Sequence, residues 1–366
     1  MPVLQKLFVR DFRNIELQEL DFSPNINCIS GDNGEGKTNL LEAIWYLSMT
    51  KASQGRSDRF CYRYGTDALS VSGICGMENG TVSRFSVQSQ NGEKKVRRDG
   101  KQYDRISEHI GVLPVVMVSP SDISLVSDSG DERRRFVNTV LSQMDPAYLD
   151  DMQHYNHLLA SRNTALKSAS PDPAFLDVVD SRMAFYASDI YGKRLRFIED
   201  LVPVVSRYYG LLSSERESVQ IEYRSDLSRG DLRTILQDSR EKDRILGFTS
   251  GGIHRDDFIF TMNGHPIRKY GSQGQQKSFL VSLKFAQYEI MKRRYGFPPL
   301  LLLDDLFDKL DMMRVSNLLE MVSGNDFGQI FLTDSNKVRI DSLLDGITSD
   351  RHCFETKGGV FTRTDG

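Results

Sequence analysis

The chain has 366 residues, 39% hydrophobic and 27% charged, with a formal net charge of −3; this excludes wholesale disorder and leaves room for a large core in two lobes. A nearly balanced charge argues against a surface coated with basic groups for wrapping nucleic acid, so any contact with DNA must be local. No run approaches the roughly 18 apolar residues of a membrane span, Met1 to Arg10 alternates instead of forming a signal core, and Cys28, Cys61, Cys75 and Cys353 lack metal-like pairing, so a cytoplasmic chain with reduced cysteines and no membrane partner is expected.

The first thirty residues read as short strands. Val3 to Val9 alternates, Phe12-Arg13-Asn14 turns, and Ile26-Asn27-Cys28-Ile29 runs into a glycine-rich loop. A helix from about Thr38 to Ser48 follows, with Leu40, Leu41, Ile44, Trp45 and Leu47 on a face that should pack on a sheet. Between Leu69 and Gly100, short β segments are punctuated by Asn79-Gly80 and Asn91-Gly92, both hairpin signals. After Val115 to Val118 and Ser119-Pro120 the pattern becomes helical to about Arg207, with Phe175, Val178, Val179, Met183, Tyr186, Ile190, Ile198, Val202 and Val205 mostly on one stripe. Such a stripe ordinarily packs within its own lobe. From Gly247 the β-and-loop character returns, with apolar strands at Leu300 to Leu303 and Ile330 to Leu332.

Three segments carry chemistry. Gly31-Asp32-Asn33-Gly34-Glu35-Gly36-Lys37-Thr38 fits the P-loop pattern in the required context, after a strand and opening a helix. Its glycines allow backbone N–H groups to converge on phosphate oxygens at a helix N-terminus; Lys37 should reach the β- and γ-phosphates of ATP, and the Thr38 hydroxyl suits Mg2+. The apolar strand ends in Asp304-Asp305. Alone, that pair is more often a strand end with solvated carboxylates; beside a P-loop, Asp304 becomes a magnesium ligand and Asp305 a base or water-orienting carboxylate. Gly271-Ser272-Gln273-Gly274-Gln275-Gln276-Lys277 precedes a helical run from Ser278 to Arg294. It could be an ordinary polar helix start, but in the order P-loop, this string, acidic strand, it resembles the signature motif of ATP-binding-cassette proteins. In that class the signature closes over nucleotide held by a second copy, which would bring Ser272, Gly274 and Gln275 to the γ-phosphate. Phe307 to Asp311 resembles the D-loop of the same class, with Asp311 the cross-dimer contact.

A closer resemblance spans nearly the whole chain. Asn33 to Ile44, Asp11-Phe12-Arg13-Asn14, Ser119-Pro120-Ser121-Asp122, Arg133-Arg134-Arg135-Phe136, Ser161-Arg162-Asn163, His254-Arg255-Asp256-Asp257 and Leu303-Asp304-Asp305 are similar, in order, to segments of the RecF family. The resemblance implies an α/β fold: a cassette-type P-loop ATPase head (1–119 with Walker A, 247–366 with signature, Walker B and D-loop), an antiparallel β patch, and an inserted mostly helical lobe at 120–246. It implies nucleotide contacts from Gly31 to Asn39, dimerisation on ATP, slow hydrolysis, binding to gapped or junction DNA, and action with RecR and RecO in loading RecA. The chain departs from the family pattern at Ile253, Asn138 and the loosely similar Lys51 to Arg56. A transporter-type cassette subunit is the first alternative, disfavoured by Asp305 in place of glutamate and by Thr333-Asp334-Ser335 in place of a switch histidine; an SMC-like DNA-bridging head is the second. Lys94-Lys95-Val96-Arg97-Arg98 with Lys101, Arg133 to Arg135, Lys193-Arg194 with Arg196, and Lys292 to Arg294 are the basic clusters available for DNA phosphates, although such clusters are commonly solvated faces. His254 and Arg255 are candidates for structural hydrogen bonds linking lobe and head.

Overall fold

The computed structural model describes residues 1–55, 57–168, 171–213, 217–305, 327–335 and 350–364. The chain divides into two compact units, Met1–Asp122 with Lys284–Gly366, and Ile123–Leu283. The return to the first unit falls at Lys284 instead of 247, because the strands after Gly247 pair with a strand of the second unit.

In the first unit, β1 (Val3–Phe12), β2 (Ile15–Asp21) and β3 (Ile26–Ser30) lead into α1 (Lys37–Met49). There follow β4 (Ala68–Gly76), β5 (Val82–Gln90), β6 (Glu93–Arg98), β7 (Lys101–Gln102) and β8 (Val115–Val118). An antiparallel sheet has the order β2-β1-β4-β5-β6-β7. The tight turn between β5 and β6 places both Asn91 and Gly92 at positive φ (49° and 84°), the backbone that an Asn-Gly hairpin requires. α1 is buried nearly all round, from Leu40 through Met49, although the sequence suggested a single packing face. It has sheet neighbours on both sides: β1, β4 and β5 of the antiparallel sheet, and β8 and a strand of a second sheet. A helix enclosed in this way has no polar face to present to water.

The second unit begins with α2 (Ser124–Ser127), α3 (Gly130–Met144), α4 (Pro146–Leu166) and α5 (Pro173–Ser213). It continues through β9 (Val219–Arg224), α6 (Leu232–Asp238), α7 (Arg240–Leu246), β10 (Asp257–Met262), β11 (His265–Pro266) and α8 (Ile267–Tyr270). α4 starts cleanly because the Asp145 carboxylate accepts from the amides of Ala147 and Tyr148 and Pro146 needs no partner for a missing N–H. The expected stripe on α5 is only partly buried. Val179, Met183, Ile190, Ile198 and Val205 are in the core, whereas Phe175 and Val178 face solvent at 43% and 60% exposure, because they fall off the side that the unit covers.

Two fully buried arginines organise this unit. Arg162 Nε donates to Asp180 at 2.6 Å, and its Nη1 donates to Asp243 at 2.7 Å and Thr249 at 2.9 Å. Arg194 donates to Asp256 at 2.5 Å, to Tyr148 at 3.0 Å and to Asn138 at 2.9 Å. Removing one partner of such a pair leaves a buried charge uncompensated, a change that costs about 3–5 kcal/mol. Arg162 and Asp256 are therefore scaffold, whereas Arg255 is exposed and lies outside both networks. Asn138 serves here as an amide, accepting from both Arg194 and the Tyr148 hydroxyl.

His254 makes the expected structural hydrogen bonds, and because the unit boundary falls at Lys284 they are internal to the second unit. Its Nδ1 meets the Tyr155 hydroxyl at 2.8 Å and its Nε2 meets the Thr249 carbonyl at 3.1 Å, so the neutral tautomer carries its proton on Nε2. Burial pushes its pKa down to about 4, helped by the charges of Arg255, Arg134 and Arg162 and opposed by the bond to Thr249. The unfolded chain, with an ordinary histidine near 6.5, binds the extra proton first as pH falls, so stability is lost on acidification between about 6.5 and 4. This histidine should account for about 2–3 kcal/mol of that loss. Urea melts at pH 7 and pH 4.5 should show a smaller drop for His254→Asn than for the wild type; parallel pH profiles would remove the assignment.

α9 (Gln273–Tyr295) contains the boundary between the units. The first unit then resumes with β12 (Leu300–Leu303), β13 (Ile330–Asp334), β14 (Arg351–Lys357) and β15 (Val360–Arg363). The second sheet has the order β15-β14-β3-β13-β12-β8, parallel throughout except for β15. β3, β13 and β12 are its central strands and are wholly buried, which explains their unbroken apolar runs. Among the described residues, no helix is long and apolar enough to cross a membrane.

Candidate functional site

Open parallel sheets bind ligands beyond the carboxyl ends of their strands. Here β3 ends in the P-loop, β12 ends in Asp304-Asp305, and β13 lies between them. Two segments far apart in sequence therefore converge on one rim.

The loop from Gly31 to Gly36 takes positive φ at Gly31 (151°), Gly34 (89°) and Gly36 (111°), backbone that residues with a Cβ rarely adopt. Lys37 opens α1 and is 4% exposed. Its ammonium folds back over the loop and donates to the carbonyls of Gly31 at 2.7 Å and Asp32 at 3.1 Å, with a long contact of 3.5 Å to Asn33 Oδ1. Thr38 Oγ1 lies 2.9 Å from both carboxylate oxygens of Asp304. Asp304 is anchored by its own amide, which donates to the Val118 carbonyl at 2.8 Å. Burial pushes its carboxyl up to about 6, the charges of Asp305 and Glu42 push the same way, and hydrogen bonds from Thr333 and Thr38 oppose them. A buried carboxylate beside a hydroxyl is a hard-oxygen pair short of positive charge, so these residues fit a magnesium ion.

Asp305 is partly exposed and has φ 42°. Its amide donates to Thr333 Oγ1 at 3.0 Å, and that hydroxyl donates to Asp304 at 2.8 Å. Thr333 thus ties the two carboxylate residues to β13, a role that sequence reasoning missed. The available signal was position: Thr333 and the buried Asp334 end the strand beside β3, with Asp334 in register with Ser30. Asn39 points its amide at the β1–β2 turn, where its Nδ2 donates to Asn14 at 2.8 Å and its Oδ1 accepts from Arg13 at 3.2 Å. Arg13 also meets the buried Glu42 at 3.4 Å.

Ser272, Gly274 and Gln275 belong to the second unit. Ser272 is exposed and caps α9. Its hydroxyl accepts from the Gln275 amide at 3.3 Å, and the Gln275 side chain accepts from the Ser272 amide at 2.7 Å, a reciprocal capping box. The helix starts at Gln273, a turn and a half before the expected Ser278, because this box satisfies its first donors. The serine hydroxyl and an exposed helix start are thus presented together, as an anion contact needs. Asp311, with the string Phe307 to Asp311, lies outside the described residues, as does Arg56.

The basic clusters separate by pairing. Arg133 is buried against Asp257 at 2.8 Å, Arg134 donates to the Asp256 carbonyl and to Asp131, and Arg135 pairs with Glu132 at 3.0 Å. Lys193 is held by Asp145, Asp151 and Asp189 at 3.1, 3.4 and 2.8 Å, and Arg194 is in the core. These two clusters are largely neutralised within the second unit. On the β6–β7 hairpin, Lys94 pairs with Asp58 at 2.7 Å and Arg98 with Asp99 at 3.7 Å, while Lys95, Arg98 and Lys101 are exposed.

Comparison with known proteins agrees with this architecture. The family model described as RecF/RecN/SMC N terminal domain matches residues 3–343. "DNA replication and repair protein RecF" of Parabacteroides distasonis is 42% identical over 357 residues, covering 98% of each chain. The protein of the same name from Porphyromonas gingivalis is also 42% identical, over 98% of this chain and 99% of its own. A solved structure of "the recombination mediator protein RecF-ATP in RecFOR pathway" superposes with a TM-score of 0.90 at 28% identity, covering 100% of this chain and 98% of that one. The Smc head domain from Pyrococcus furiosus, at a TM-score of 0.59 and 13% identity, shares the fold. The fold is a cassette-type P-loop ATPase head with an antiparallel β patch and an inserted, mostly helical second lobe, and on full-length identity, family match and fold together the chain belongs to the RecF family.

Proposed function

We propose that this chain is an ATP-switched DNA clamp of recombinational repair and replication-fork maintenance. Two copies close on ATP, hold DNA at gaps or single/double-strand junctions by phosphate contacts, assist RecA loading with RecR and RecO type mediators, and reset by slow hydrolysis. The observation that carries this reading is the contact of Thr38 Oγ1 with both oxygens of Asp304 at 2.9 Å, which joins the end of the P-loop to the acidic strand at one rim. Thr38 and Asp304 would hold magnesium, which supplies charge neutralisation to the phosphates when bound. Gly31 to Gly36 present backbone donors, Lys37 supplies the ammonium, and Asp305, held by Thr333, orients the attacking water. Ser272 and the start of α9, from a second copy, complete the site, with Gly274 and Gln275 beside the γ-phosphate. The exposed face of the β6–β7 hairpin, Lys95 and Lys101 with Arg98 beside them, is the phosphate-contact surface favoured by the pairing of Arg133 to Arg135 and of Lys193 with Arg194.

Sizing the protein with and without ATP and gapped duplex tests the reading. ATP should convert monomer to dimer, and only the dimer should retain DNA, with affinity falling steeply as salt rises. A monomer that retains gapped DNA equally without ATP would contradict it. Asp305→Asn should keep ATP and slow hydrolysis on the order of 10²-fold, the usual worth of a positioned base, leaving a long-lived dimer. The backbone should tolerate the change, since asparagine adopts positive φ as readily as aspartate. Unchanged single-turnover hydrolysis would move that role to another group.

A further inference from the structure

We infer that the end of β14 and its turn into β15, together with Asn14 of the β1–β2 turn, form an outer clamp on the P-loop, so that Thr356, Gly359 and Asn14 are positioning residues that set how tightly the loop takes a phosphate chain. The inference rests on reading Gly31 to Thr38 as a triphosphate site. β14 runs parallel to β3 with Glu355 in register with Ser30, so the next residues, Thr356 and Gly31, lie side by side. The approach is close: a Cβ on Gly31 would come within 2.6 Å of the Thr356 carbonyl oxygen, and one on Gly36 within 2.7 Å of the Asn14 amide. Gly359 is similarly tight, since a Cβ there would collide with the Asn14 carbonyl.

These approaches converge on one peptide. The Glu35 carbonyl accepts from the Gly359 amide at 2.9 Å, from Thr356 Oγ1 at 3.2 Å and from Asn14 Nδ2 at 3.2 Å. The Glu35 carboxylate takes the amide of Gly358. Three donors, one from the end of β14 and two from separate turns, thus fix the direction of one carbonyl in the phosphate loop. The peptide is planar and trans, so holding the Glu35 oxygen toward the clamp sends the Gly36 N–H to the opposite side. Gly36 has no Cβ to resist rotation, and a flipped peptide would offer an oxygen where a phosphate needs a donor. Phosphate affinity therefore depends on residues more than 300 positions along the chain.

The test measures dissociation constants for ATP, and for tripolyphosphate by competition, on Thr356→Val, Asn14→Ala, their combination and Thr356→Ser, with Lys37→Ala as reference and urea melts of each without nucleotide. The combined variant should bind both ligands about tenfold more weakly, the scale expected for two lost hydrogen bonds. Thr356→Val should fall between it and wild type, and Thr356→Ser should restore wild-type affinity. Should the combined variant fail to fold, Thr356→Val against Thr356→Ser makes the same comparison. Unchanged affinity for both ligands in folded Thr356→Val and Asn14→Ala, with binding lost in Lys37→Ala, would overturn the clamp and leave the P-loop reading standing. A loss confined to ATP and absent for tripolyphosphate would also overturn it. Wild-type affinity in Lys37→Ala would instead sink the triphosphate site itself.

Discussion

Lys37→Ala should lose ATP affinity on the order of 10²–10³-fold, as removal of a pair of charge-assisted hydrogen bonds implies. The ammonium is buried over the loop and already donates to the Gly31 and Asp32 carbonyls, so it is poised at the cradle before any phosphate arrives. No substitute is at hand from the adjoining turn, because Arg13 is held by Glu42 and Asn39. Folding should persist, since the two carbonyls released lie in a partly exposed loop. Fluorescence titration with ATP measures the effect, and near-normal affinity with normal hydrolysis would end the P-loop assignment.

Ser272→Arg should abolish ATP-dependent dimerisation, hydrolysis and stable DNA retention together, while binding of ATP by the single subunit survives. In the proposed dimer the substitution would place a long charged side chain where two copies close over a phosphate, and the steric conflict would outweigh attraction to phosphate charge. It also removes the capping box with Gln275, a loss of about 1 kcal/mol at an exposed helix start, too small to unfold a helix anchored by Phe279, Leu283 and Phe285 in the core. Ser272→Thr keeps a capping hydroxyl and separates the two effects: it should fold as wild type and still dimerise. Normal ATP-dependent dimerisation of Ser272→Arg would mean that Gly271 to Lys277 is only a helix start.

Much of the site was legible because its chemistry is local. Glycines at positive φ, Lys37 and Thr38 fall within one short stretch, Gly31 to Thr38, and an apolar run ending in two acids marks a strand end wherever it occurs. The Asn-Gly turns and the four-leucine strand were legible for the same reason. Features that depend on long-range pairing were not. Thr333 gains its role only because β13 falls between β3 and β12, and Thr356 only because β14 lies in register with β3. The arginine strings also read misleadingly: a run such as Arg133 to Arg135 suggests a phosphate surface, yet its charges are committed to Asp257, Asp131 and Glu132. Composition cannot reveal such commitments: Asp131 and Glu132 lie one turn upstream on the same helix, and Asp257 comes from a strand more than a hundred residues away. The single packing face expected of α1 failed because a period counted along one helix does not disclose a second sheet on its other side.

The composite site between two copies is tested most directly by mixing Lys37→Ala with Ser272→Arg. Each variant alone should be inactive, the first for want of a working phosphate loop and the second for want of a closing partner. A mixed dimer keeps one site in which the loop of the Ser272→Arg subunit meets the intact helix start of the Lys37→Ala subunit. Steady-state hydrolysis by the mixture should therefore exceed the sum of the two variants measured separately, reaching the share of wild-type turnover that mixed dimers can carry. Turnover no greater than that sum, in variants shown to fold and to exchange subunits, would contradict a site shared between copies.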